Sequence, residues 1–123
     1  YPNCVWVDAN VWRDERCLRR NEHDAGRTVA VELAKLGYRR FVILSCADYE
    51  AGTPVHFSFD ARRRGISEVA QQRGIELCEV KTDMANDGFS QIPQLQPLFA
   101  PDTAIVALDM YSTVEFLVEL SAT

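Results

Sequence analysis

The most concentrated charge in the chain is the run Arg62-Arg63-Arg64. A guanidinium presents several N–H donors in a rigid fork, so one arginine held at a binding site grips ligand hydroxyls or a carboxylate through more than one bond. On a helix three consecutive side chains point about 100° apart, so they cannot share one site. Arg62, one turn before the apolar Ile66, is the candidate to turn inward, and the other two read as a solvated face. Other reactive groups are sparse. The sequence has no GxSxG, HExxH, GxGxxG or GxxxxGK[ST] run, so a nucleophile elbow, a zinc-protease helix and a phosphate cradle lack support. His23 and His56 have no cysteine or serine partner in sequence and read as solvated. Cys4, Cys17, Cys46 and Cys78 form no CxxC pair, which argues against a zinc ribbon and for buried thiols of a reducing compartment. No enzyme activity, metal or cofactor is expected.

These residues must be positioned by a chain of 123 residues, 47% hydrophobic and 25% charged, the proportions of one ordinary globular domain. At this size roughly two thirds of the unfolded surface is buried on folding, enough for a core without staples. Its apolar runs are too short to span a membrane. A net charge of -5 argues against non-specific nucleic-acid binding, which needs clustered cations. Tyr1 at the start, and an end inside the periodic stretch Val114 to Leu120, read as a piece of a longer protein.

Cys4 to Val7 reads as a strand closed by Asp8-Ala9-Asn10, with a weaker extended stretch near Cys17 to Asn21. A helix is predicted from His23 or Asp24 to Leu36, with Val29, Leu33 and Leu36 on one face and Ala30 and Ala34 beside them, Asp24 as N-cap and Gly37 just past its end. Phe41 to Leu44 is a continuous apolar run, the mark of a central strand covered on both faces. The stretch Cys46 to His56 reads as a long loop. A second helix runs from Phe57 or Ser58 to Arg73, closed by Gly74. Strands follow at Leu77 to Val80 and Ala104 to Leu108, with a Pro-interrupted helix over Ser90 to Phe99 and a good one over Tyr111 to Leu120. Alternating strands and helices imply an α/β fold: a three-layer, doubly wound parallel sheet with helices on both faces. Ligands of such sheets sit outside the carboxyl ends of the strands, which selects Ser45 and Cys46, Thr82 to Met84, and Leu108 and Asp109. Bland roles compete: Asp8 and Asp109 suit loop or helix caps, Met84 and Leu108 suit core, and Trp6, Trp12 and Tyr111 suit packing.

Asp24-Ala25-Gly26-Arg27, Ala30 to Leu33, Leu36-Gly37-Tyr38-Arg39-Arg40 and the strand after it resemble the first helix-to-strand unit of the lactose-repressor (LacI-type) regulators. Arg62-Arg63-Arg64-Gly65-Ile66 looks like the family's Arg-x-x-Gly-Phe helix, Arg73-Gly74-Ile75 like that helix's end, and Asp102 to Val106 like the strand that follows. The resemblance implies a periplasmic-binding-protein-like lobe, mostly the C-terminal one. Its function would be sensing a small effector, a sugar or related metabolite, in a cytoplasmic homodimer that binds operator DNA through an upstream headpiece. By position, it assigns effector contacts to Arg62, Asp8, Asn21, Met84 and Asp109. Leu108 departs from the family's Asn-Asp pair, which takes away one amide contact to a sugar hydroxyl. Two other readings are open: an exported sugar-binding protein of a transporter, disfavoured by four cysteines in an oxidising periplasm, and a self-contained flavodoxin-like domain.

Overall fold

The computed structural model describes residues 4–10, 16–47, 56–83, 96–108, 117–118 and 121. Two short parallel strands, β1 (Trp6–Val7) and β2 (Cys17–Leu18), lead into helix α1 (Glu22–Lys35). Then come β3 (Arg40–Ala47), helix α2 (Phe57–Arg73), β4 (Glu76–Asp83), a 3₁₀ turn (Gln96–Leu98) and β5 (Thr103–Ala107). An apolar strand such as Phe41 to Leu44 is stable only where its backbone is paired on both edges and its side chains are covered on both faces. The sheet order β4-β3-β5, parallel throughout, gives β3 both partners. Leu44 lies opposite Val80 on one side and Ala107 on the other.

Strand alternation divides the core. Phe41 and Ile43 face the helices, packing with Ala30 of α1, with Ile66, Val69 and Ala70 of α2, and with Ala104 and Leu108. Val42 and Leu44 face the other way, against Cys78, Val80, Ile105, Ala107, Leu98 and Phe99. Each large side chain buried in this way contributes roughly 1.5–3 kcal/mol. The α/β architecture with a parallel sheet is as expected. Among the described residues α1 and α2 share one face, and the 3₁₀ turn with Phe99 covers the other where a Pro-interrupted helix was expected over Ser90 to Phe99. Residues 90–95 of that stretch lie outside the described ones, as do all of Tyr111 to Leu120 except residues 117–118, which are helical.

Three expectations are corrected. Helix α1 starts one or two residues earlier than expected: Asn21, not Asp24, is its N-cap, with the Asn21 side-chain oxygen accepting the Asp24 N–H at 3.1 Å. Of the expected face, Ala30 is buried and Leu33 and Ala34 pack against the core, but Val29 and Leu36 are exposed and Gly26 takes their place in the buried stripe. The reason is a glycine contact between helices: a Cβ on Gly26 would collide with the Arg62 carbonyl, and one on Gly65 with the His23 carbonyl. Backbones this close leave no room between the helices for large side chains, so the buried stripe of α1 centres on Gly26 and Ala30. The thiols are also less buried than expected: Cys4 is exposed, and Cys17 and Cys78 are half-buried. The ends of the helices follow the sequence, with Gly37 and Gly74 at positive φ just beyond α1 and α2.

The collision and the positive φ predict different costs. Gly26→Ala or Gly65→Ala forces the two helix backbones apart and should cost at least ~2–3 kcal/mol. Gly74→Ala has open space and only the left-handed penalty, about 1 kcal/mol. Urea unfolding of the three variants should rank them so; equal losses would mean that the helix crossing tolerates a methyl group.

Candidate functional site

The carboxyl end of β5, the first turns of α1 and α2 and the end of β1 meet in one cluster of charge. It begins with Asp8, which follows β1 at φ 52 and whose carboxylate accepts from the Arg20 backbone N–H at 3.1 Å and from Arg20 Nε at 2.6 Å. Aspartate is among the few residues that adopt the left-handed region at modest cost, because its short side chain bonds locally. Arg20 Nη1 reaches Glu22 Oε1 at 3.2 Å, an ion pair without hydrogen-bond alignment. Glu22 Oε2 accepts from Arg62 Nε at 2.6 Å, and Arg62 Nη1 donates at 2.6 Å to the Leu108 carbonyl. Two carboxylates and two guanidiniums thus alternate along a chain ending on the backbone just past β5.

Helix geometry explains why these groups meet. Asn21 caps α1, which places Glu22 at its first helical position, where a carboxylate favours the positive end of the helix. The Gly26–Gly65 crossing then brings that turn against α2, where Arg62 stands three residues before Gly65. Glu22 is only 5% exposed. A buried carboxylate would ordinarily resist ionisation, but the Arg62 bond outweighs burial and holds the Glu22 carboxyl below its ordinary value. The Asp8 carboxyl is lowered in the same direction, first by the Arg20 backbone N–H and then, against a desolvation cost, by the Arg20 side chain.

A second set of contacts fixes the start of α2 to the end of β1. His56 caps α2: its Nδ1 accepts from the Ser58 N–H at 3.4 Å and lies 2.7 Å from Ser58 Oγ. Its Nε2 lies 2.9 Å from the Asp8 carbonyl oxygen. A carbonyl only accepts and a backbone N–H only donates, so this geometry calls for the neutral ring protonated on Nε2. Asn10 Oδ1 accepts the Phe57 N–H at 2.7 Å, and Arg19 donates to the Ala9 and Asn10 carbonyls while stacking over the Phe57 ring.

Of the six residues selected from sequence, Asp8, Arg62 and Leu108 belong to this chain of contacts, Leu108 through its carbonyl oxygen, its side chain being buried in the core. Asn21 stands beside them with its side chain engaged in the α1 cap. Met84 and Asp109 lie outside the described residues. Arg63 and Arg64 point elsewhere, to Glu79 and Asp60 and to Asp60 alone among the ion pairs. Sequence reasoning missed Arg20, Glu22 and the engaged His56; it read the histidine as solvated, whereas the ring is half-buried and bonded at both nitrogens. An asparagine followed by acidic residues is a helix-start signal that would have placed Glu22 inside α1. Its partner 40 residues away leaves no local mark. Among the described residues no group of His, Cys, Asp and Glu could hold a metal ion, and no helix is long and apolar enough to cross a membrane.

No protein-family model matches the chain, and no curated protein matches it. Among solved structures it is similar to that of the probable maltose operon transcriptional repressor MalR from Staphylococcus aureus, with a TM-score of 0.76 at 14% identity. It is also similar to one described as a LacI transcriptional regulator from Bacteroides fragilis, with a TM-score of 0.64 at 18% identity. The match covers 96% and 95% of this chain but 42% and 43% of those chains, so this chain spans less than half of either. The fold is therefore shared with LacI-type regulators over nearly its full length.

The lowered Glu22 carboxyl makes a signed prediction. A carboxylate depressed in the native state stabilises the fold fully above its ordinary value of 4.5, and the gain disappears as pH falls through the lowered native value. Glu22→Gln should therefore be less stable than wild type at neutral pH, with the gap closing as pH falls from about 6 to about 3. Denaturant unfolding across that range checks this; a gap independent of pH would mean that the charge of Glu22 contributes nothing.

Proposed function

We propose that this chain is the effector-sensing lobe of a LacI-type transcriptional regulator and that its effector binds at the cluster around Arg62. The observation that carries the reading is the position of Arg62, paired with Glu22 and with the Leu108 carbonyl beyond the carboxyl end of β5, where open parallel sheets bind their ligands. The shared fold of the two regulators supports it. Asp8, Arg62 and Leu108 form the part of the site contributed by this lobe, with Asn21 beside them, and Met84 and Asp109 are assigned to it from their sequence positions alone. The effector is a sugar or related small metabolite, held between this lobe and a second one. Operator DNA is bound by a separate headpiece of the longer protein, in keeping with the net charge of -5 on this chain. The regulator works in the cytoplasm as a homodimer, with no covalent step and no cofactor.

Mechanistically, an effector acts only through its different affinities for two arrangements of the protein. The cluster offers a physical basis for such a difference. It joins the end of β1, the start of α1, α2 and the end of β5 through charge-assisted bonds, whose strength falls steeply with misalignment. A ligand that inserts hydroxyls among these groups stabilises the arrangement in which they face it.

Removing Arg62 alone would strand the buried Glu22 carboxylate at a cost of about 3–5 kcal/mol and confuse folding with binding. The informative variant combines Arg62→Met with Glu22→Gln in the full-length regulator. Neutral mono- and disaccharides and sugar acids are screened for a rise in Tm of the wild type, and each active compound is then titrated against the variant. The expected loss is at least about a hundredfold in affinity, matching ~2.7 kcal/mol. An active compound that binds the variant as tightly as the wild type, or the absence of any active compound, overturns the assignment.

A further inference from the structure

Arginine at a ligand site usually signals an anion, because a guanidinium edge grips a carboxylate or phosphate in two parallel charge-assisted bonds. The surroundings of Arg62 argue otherwise. Its Nε is bonded to Glu22 Oε2 at 2.6 Å and its Nη1 to the Leu108 carbonyl at 2.6 Å. Each edge of the guanidinium that could receive an oxyanion side by side therefore already has one donor engaged. The charge is also cancelled: Glu22 neutralises Arg62, and Asp8 neutralises Arg20.

We infer that Glu22 is a specificity-determining residue of this site, tuning it to an uncharged, hydroxyl-bearing ligand and against carboxylates and phosphates. The inference rests on the effector-site reading given above. Glu22 is 95% shielded and sits behind Arg62, so an incoming anion meets a guanidinium whose field is already balanced and a carboxylate of like charge directly behind it. An anion also brings acceptors alone. The acceptors already present are not saturated: Glu22 Oε1 has no hydrogen-bond donor among the described residues, and its contact with Arg20 Nη1 at 3.2 Å is unaligned. A hydroxyl both donates and accepts without adding charge, which fits a cluster of this composition. The Arg20 side chain is 63% exposed, so it is the member that can shift to admit such a group.

Glu22 here is a residue that acts through Arg62, and its removal should change what Arg62 attracts. The probe is inorganic phosphate, titrated calorimetrically into the full-length protein at matched ionic strength. Wild type should show no saturable binding up to about 50 mM, whereas Glu22→Gln, which removes the charge that balances Arg62, should bind phosphate at least about tenfold more tightly. That gain should disappear when Arg62→Met is added. Circular dichroism checks folding, and Glu22→Leu replaces Glu22→Gln if the latter fails to fold. Phosphate binding in wild type that is lost in the double variant overturns the inference, as does a folded Glu22 variant that gains none. The titration needs neither operator nor effector, so its failure is separable from failure of the regulator reading, which is tested by the sugar screen.

Discussion

The contact between Gly26 and Gly65 is the constraint on which the rest of the site depends. Helices packed through ordinary side chains keep their axes about 8–10 Å apart. Here each glycine faces a backbone carbonyl of the other helix with no space for a methyl group. That closeness has a cost, since glycine inside a helix is about 1 kcal/mol less favourable than alanine. What it gains is reach: the first turn of α1 is drawn against α2 closely enough for Glu22 and Arg62 to bond at 2.6 Å. The same approach fixes the face that α1 turns to the sheet, with Ala30 buried and the larger Val29 and Leu36 left in water.

Beyond the helix pair, charge takes over from packing. A carboxylate as buried as Glu22 costs several kcal/mol to desolvate and is tolerable only with a well-aligned partner. Arg62 supplies it, and remains partly exposed itself at 27%. This asymmetry suits a binding site better than a structural brace: one end of the pair is anchored in the protein and the other reaches solvent. The remaining ion pairs differ in kind. Lys35 with Glu32 and Arg64 with Asp60 are exposed pairs within single helices, worth tenths of a kcal/mol each. Arg27 and His23 meet Glu68 across the helix pair near the glycine contact, where they add orientation to an interface whose distance is already set.

Much of the fold was legible in the sequence because its signals are local. The run Phe41 to Leu44 had to be a covered central strand, and it is the spine of the sheet. Gly74 had to end α2 because the chain turns there through positive φ. Arg62 could be singled out from its neighbours because helical geometry allows only one of three consecutive arginines to face a given site. What escaped was long-range. Nothing near Glu22 announces a partner 40 residues on, and nothing near Gly26 distinguishes a glycine at a helix crossing from one that merely weakens a helix. The outward turn of Val29 and Leu36 escaped for the same reason: periodicity ranks residues by size and polarity, and a backbone-to-backbone contact favours the small ones. His56 escaped because its two bonds join segments 48 residues apart and two residues apart, and only the first requires the fold.

The cluster also constrains how a ligand signal could travel. Asp8, Arg20, Glu22 and Arg62 are linked in series, so a displacement of any member changes the alignment of the next. The series has one weak joint, the unaligned contact between the exposed Arg20 and Glu22 Oε1. Its two halves are each held by bonds of 2.6 Å: Asp8 with Arg20 on the β1 side, Glu22 with Arg62 on the helix side. His56 and Asn10 hold the α2 start to the β1 segment from the other side. Because the Glu22–Arg62 bond lies behind that joint, a shift of the exposed Arg20 side chain leaves the most buried charge of the cluster paired.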